Sequence, residues 1–185
     1  MARYKAGLRT EAKILEATRE LLGELGFEGT TLKAICDRAG IRAGSFYNLF
    51  GTKEEAIIRV VRESLVALDP DPEGEGNDTL NELIDAFVTF TDGDPTLPRI
   101  YLQIAVTGAM TDDVIRQRVL HHHAERVRRF GDAILRENPQ LTRDQAESEA
   151  ETLLATLHGL ALRKAMEPDF PVAEHAHRSR LVIPS

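Results

Sequence analysis

The stretch GFEGTTLKAICDRAGIRAGSFYNLFGTKEEAI, Gly26 to Ile57, decides the fold. Thr31 can cap a short helix from Leu32 to Arg38, because a hydroxyl accepts an amide that the first turn leaves without a partner. Gly40 sits where the chain must adopt a backbone angle costly for other residues. A second short helix follows, roughly Ala43 to Phe50. Ile35, Ile41 and Phe46 are its apolar pins, and Cys36 is small enough to let the two helices touch. Two short helices crossing steeply about such a turn make a helix-turn-helix. The second helix is left with a small or polar face of Arg42, Ala43, Ser45, Tyr47 and Asn48, which suits a major groove.

On the N-terminal side, Ile14, Leu15, Ala17, Leu21, Leu22 and Leu25 mark a helix from about Thr10 to Leu25, ended by Gly26. On the C-terminal side, Thr52-Lys53-Glu54-Glu55 has the form of a capping box, with Glu55 expected to reach back to the Thr52 amide. It opens a helix from Lys53 to about Leu68. The signature recurs as Thr79-Leu80-Asn81-Glu82 and Thr142-Arg143-Asp144-Gln145. Residues 69–78, DPDPEGEGND, are rich in proline, glycine and acid and are expected to form a mobile surface loop. Further helices are predicted over about 79–92, 97–109, 112–137 and 143–166, with a short one after Pro171. Strand-like alternation is absent, so the fold class is all-α. The expected domains are residues 1–52, a helix-turn-helix unit, and 53–185, a larger helical unit, with helix 53–68 connecting them.

The chain has 185 residues, 42% hydrophobic and 29% charged, as expected of a globular protein. Its net charge of −7 argues at first against nucleic acid. The distribution reverses that: residues 1–60 hold 10 Lys/Arg against 8 Asp/Glu, and residues 61–185 hold 13 against 22. Positive charge is kept in the first third, where a DNA face needs it. Arg3, Lys5 and Arg9 are either an arm along DNA or a free terminus. No apolar stretch follows them, so the start of the chain does not resemble a signal peptide. No run is long enough to span a bilayer, and a cytoplasmic location without membrane partners is expected. The one cysteine, Cys36, excludes an intramolecular disulfide and is expected to be buried and inert.

At Gly26–Ile57 the sequence resembles the TetR family of bacterial transcriptional regulators, whose N-terminal pattern runs G-F-x-x-T-T-h-x-x-I-A-x-x-A-G-V-S-x-G-x-h-Y-x-x-F-x-x-K-E-x-L, with h apolar. The resemblance implies a dimeric repressor that binds a palindromic double-stranded operator and is released by a small-molecule effector. It implies that Tyr47 and Lys53 grip phosphates and that Thr31 meets the backbone at a helix start. Lys33, Arg42, Ala43, Ser45 and Asn48 fall where base edges are read or approached. Two positions depart from the pattern. Cys36 replaces alanine, a small-for-small change. Arg42 replaces the serine or threonine that caps the recognition helix, a loss of about 1 kcal/mol.

The resemblance also implies an effector site and a dimer bundle in the second unit. Leu83, Phe87, Phe90, Tyr101, Ile104, Val106 and Met110 are the apolar candidates for the lining, with Gln103 and Thr107 as polar fixtures. The run Ile100 to Val106 is apolar nearly all round and is expected to be buried on most sides. Leu153, Leu154, Leu157, His158 and Ala161 are the candidate dimer seam, and Gly159 suggests a close backbone approach.

His121-His122-His123 invites a metal reading. Consecutive helical residues point about 100° apart, so the three cannot converge on one ion. Only His121 with Glu125 has usable spacing, and the run reads as a solvated helix face. A helical metalloenzyme using His121, Glu125, Asp112 and Asp113 is the rival, but a repeated Glu-x-x-His is lacking. No serine, cysteine or histidine stands in a nucleophile motif. No catalysis, metal or cofactor is expected.

Overall fold

The computed structural model describes residues 2–93, 96–108, 110 and 113–180, without the side chains of residues 2–6, 107 and 108. The side chains of Arg3, Lys5 and Thr107, and all of Asp112, therefore lie outside what is described. The helices are α1 (Ala2–Gly29), α2 (Leu32–Ala39), α3 (Ala43–Tyr47), α4 (Lys53–Val66), α5 (Leu80–Asp92), α6 (Thr96–Gln103), α7 (Asp113–Glu137), α8 (Arg143–Met166) and α9 (Val172–Ser179). A π-helical stretch, Ile104–Gly108, continues α6. No strand occurs among the described residues.

The predicted turn chemistry operates in α1 and α2. α1 breaks at Gly26, whose φ of 67° suits glycine, and resumes for one more turn. Thr31 Oγ1 accepts from the Ala34 amide at 3.1 Å to start α2. Gly40, at φ 64°, ends it. Full capping boxes open α5 at Thr79/Glu82 and α8 at Thr142/Gln145. The box expected at α4 is only half formed. Thr52 Oγ1 accepts from Glu55 N at 3.2 Å, but the Glu55 carboxylate accepts from the Gly51 amide at 2.8 Å instead of that of Thr52. Arg118 of α7 holds its other oxygen at 2.9 Å.

Two apolar cores organise the helices. In the first, Ile14, Leu22, Ile35, Phe46, Ile57 and Val60 interlock α1 to α4. Ile100 and Ile104, from α6 and its continuation, and Ile115 of α7 belong to this same cluster. The expected boundary between residues 52 and 53 thus runs through continuous packing, and α4 is part of both units. The second core joins α5, α7, α8 and α9 through Leu80, Ile84, Ile134, Leu153, Leu157 and Ala176. Here α7 and α8 approach closely at Gly131, where an added Cβ would lie 3.2 Å from Glu147 Cγ.

Two expectations need correction. The 69–78 loop is tied down, because Arg129 of α7 pairs with both Asp69 and Asp78 and Arg136 donates to the Asp78 carbonyl. Val106 is exposed, because two residues on from buried Ile104 a helix points to the opposite side. Gly159 lies on the outer face of α8, with no other part of its own chain against it within 4 Å.

Candidate functional site

The surface of α3 is divided sharply. Phe46 is fully buried, stacked at a tilt on Phe50 with ring centroids 5.6 Å apart. Around it, Arg42, Ala43, Gly44, Ser45, Tyr47 and Asn48 are all exposed. Tyr47 packs edge-on against Phe46 at 6.0 Å and stays 59% exposed, so its ring is oriented while its hydroxyl is free to reach outward. Arg42 occupies the N-cap of α3 without a side-chain cap bond. The Ser45 amide donates to the Arg42 carbonyl at 2.9 Å instead, and the guanidinium is uncommitted by capping.

The flanking cations are held differently. Lys33 is exposed on α2 and pairs with Asp37 at 2.6 Å; that hydrogen bond, with the nearby charge, raises its pKa. Lys53 turns back toward α1, donating to the Phe27 carbonyl at 3.3 Å with its ammonium 4.5 Å from the Phe27 ring centre. Cys36 is buried beneath α2, and burial, with Asp37 nearby, raises its thiol pKa, which suits an inert residue.

Behind this unit lies a cavity of about 290 Å³. Ile58, Val61 and Leu65 of α4, Leu83, Phe87 and Phe90 of α5, and Leu154 and Leu157 of α8 give it an apolar wall. Tyr101 of α6, Arg126 of α7 and His158 of α8 converge on it from three helices. Arg126 Nη2 donates to the Tyr101 oxygen at 2.5 Å and lies 3.3 Å from His158 Nε2. Burial, with Arg126 and His123 nearby, lowers the His158 pKa to about 4. The ring is neutral at physiological pH, so Nε2 can accept from Arg126.

The model of bacterial regulatory proteins of the tetR family matches residues 14–60, and that of the C-terminal domain of BetI-type transcriptional repressors matches residues 76–180. The chain belongs to the TetR family of bacterial transcriptional regulators. It is similar to the HTH-type transcriptional regulator BetI of Burkholderia lata, at 29% identity over 88% of this chain and 86% of that one. It is also similar to the regulator UidR of Escherichia coli, at 34% identity over 44% of this chain and 43% of the other. A transcriptional regulator from Rhodococcus sp. Rha1 has the same fold, with a TM-score of 0.72 at 21% identity over 94% of this chain and 95% of that one. The protein is thus a DNA-binding transcriptional regulator and not an enzyme.

Within the TetR-type second unit, the structure redistributes the candidate residues. Leu83, Phe87, Phe90 and Tyr101 do line the cavity. Ile104 does not; it is buried in the core shared with the DNA-binding helices. The Gln103 amide points the other way and meets Glu28 of α1 at 3.3 Å. Met110 is 82% exposed. From Ile104 to Gly108 the winding is π-helical, so the register of a regular helix does not hold there. Leu153, Leu154, Leu157 and Ala161 are buried inside their own protomer and cannot form the surface of a dimer seam, and His158 faces the cavity.

Sequence reasoning missed Arg126 and the contribution of α4. A signal existed for the latter. The doublets Ile57-Ile58 and Val60-Val61 put apolar residues on two faces of one helix, which a helix packed on one side does not need. Nothing local marks Arg126. Elsewhere on α7, His121 and His122 both lean on Glu125, at 3.3 and 3.1 Å, and His123 pairs with Glu151 of α8 at 2.8 Å.

Proposed function

We propose that this regulator is a dimeric repressor that binds a palindromic operator through α3 and is released by a small, largely apolar effector held in the cavity behind α4. One observation carries the reading: α4 belongs to both parts. Ala56, Ile57 and Val60 are fully buried in the core that seats α3, while Ile58, Val61 and Leu65 line the cavity. An occupant that shifts α4 must shift the reading head. Control is then a population shift, limited by the effector's differential affinity for the two arrangements.

On DNA, Arg42, Ala43, Ser45 and Asn48 approach base edges, with Thr31, Lys33, Tyr47 and Lys53 on the backbone. Lys53 reaches a phosphate by leaving its long bond to the Phe27 carbonyl. Work on an operator places the protein in the cytoplasm. The partner face is the outer stripe of α8: Ser148, Thr152, Ala155, Gly159, Leu162 and Met166 are all exposed and alternate at four- and three-residue spacing. Small residues over most of the stripe permit close helix approach, and Leu162 and Met166 supply apolar anchors. Two recognition helices related by the dimer axis read half-sites about 34–36 Å apart, or a multiple of that distance.

Selection from random duplex DNA tests the operator: an enriched inverted repeat is expected, with affinity falling steeply as salt rises. Fluorescence anisotropy on that duplex, with compounds that raise the melting temperature, tests release. Stabilising ligands that leave operator affinity unchanged would remove the effector from the proposal.

A further inference from the structure

Arg126, in the cavity wall, has a buried donor with no acceptor. Asp69 in the same wall is taken by Arg129, at 2.8 Å. Glu125 is taken by His122 and His121, and Arg62 lies in its field. Arg126 has no carboxylate partner among the described residues. Its Nε is buried with no hydrogen-bond acceptor, and Nη2 is spent on two neutral groups, Tyr101 and His158. The Tyr101 oxygen accepts from Arg126, and its own proton has no acceptor among the described residues. Removing a cation from water without a counter-charge is costly, and so is leaving its donors unmet. A guanidinium with a buried, unmet donor beside a free hydroxyl proton, next to an apolar wall, is complementary to an oxyanion carrying a hydrocarbon body.

We propose that the cavity takes a compact amphipathic monocarboxylic acid, its carboxylate against Arg126 and the Tyr101 hydroxyl and its chain among Leu83, Phe87, Phe90, Leu154 and Leu157. This rests on the cavity being the effector site. Arg126, with its unmet donor buried, suits a monoanion; Arg62, the other wall cation without an ion pair among the described residues, is exposed and lies in the field of Glu125. The volume of about 290 Å³ lies at the small end for ligand cavities and favours a short chain. A quaternary ammonium head would meet Arg126 as a like charge.

The test is calorimetric titration of the full-length protein at neutral pH with three probes of one chain length: octanoate, 1-octanol and octyltrimethylammonium. Hexanoate and decanoate bracket the length. Octanoate is expected to bind about tenfold or more tighter than octanol, the worth of a charge-assisted bond, and the ammonium not at all. Arg126→Met should reduce the acid's advantage to about threefold or less while octanol affinity holds, and Arg126→Lys should retain part of it. Tyr101→Phe should weaken octanoate several-fold without touching octanol. Equal binding of acid and alcohol, or preference for the ammonium, would overturn the acid while leaving the effector site in place. Failure of every probe to bind the wild-type protein would overturn both. Binding of octanoate with the expected preference but with unchanged operator affinity would support the acid and refute only its role in release.

Discussion

Replacing Arg129 with methionine should destabilise the protein far more than its partly exposed position suggests. The side chain reaches from α7 to both ends of the 69–78 loop, with Nε on Asp78 and Nη1 and Nη2 on Asp69. The Asp78 side chain is only 1% exposed, and its second oxygen has no partner. Arg129→Met leaves that carboxylate buried with no ion-pair partner, since Arg136 reaches only the Asp78 carbonyl. Breaking a buried pair from one side costs about 3–5 kcal/mol. The Arg129 side chain is 35% exposed and solvent screens part of the interaction, so the lower end, about 3 kcal/mol, applies. At about 2–4 °C per kcal/mol for a chain of this size, the melting temperature should fall by about 6–12 °C. The assay is thermal unfolding followed by circular dichroism at fixed protein concentration, since association shifts apparent stability. Asp78→Asn added to Arg129→Met should recover part of the loss, because an amide leaves no buried charge. The Arg129 hydrogen bond lowers the Asp69 pKa. Its contribution is therefore complete above the ordinary carboxylate value of about 4 and fades as pH falls through the lowered value. A fall of under about 2 °C, or a double variant whose loss equals the sum of the two single losses, would refute the reasoning.

Three further outcomes follow from the same structure. Leu162→Arg and Met166→Arg should each convert the proposed dimer to a monomer by light scattering at micromolar concentration, whereas a dimer mass unchanged in both would move the proposed seam away from the outer α8 stripe. Arg42→Ser should restore a cap to α3 and raise stability by about 0.5–1 kcal/mol while weakening operator binding; tighter binding would show that Arg42 makes no DNA contact. Stability should fall as pH drops from the unfolded histidine value of about 6.5 toward the folded His158 value of about 4, because the unfolded state binds the extra proton in that window. His158→Gln should flatten that slope in pH-dependent melts, and an unchanged slope would assign it to other groups.

The helix-turn-helix was legible in the residues because its signals are local. Thr31 caps within one turn, Gly40 takes a left-handed angle, and Phe46 is the single large apolar residue on a short helix otherwise small or polar. Each depends on neighbours a few positions away, so the order of types along the chain is enough. The same holds for the starts of α5 and α8, where Thr79 and Thr142 meet partners three residues on. What only the tertiary structure decided are pairings across long stretches of chain. Arg129 reaches Asp69 across 60 residues, and Arg126 reaches Tyr101 across 25. Leu153, Leu154, Leu157 and Ala161 of α8 were visible as apolar, but not that all four are buried in their own chain. Leu153 and Leu157 turn to their own core, and Leu162 and Met166 turn out, because α5, α7 and α9 already cover one side. A periodic pattern gives a helix a buried side without naming the helices that bury it, and a π-helical turn such as Ile104–Gly108 changes the register with no mark in the composition. The DNA-reading face therefore came from local chemistry, and the cavity from the way α4 to α8 were brought together.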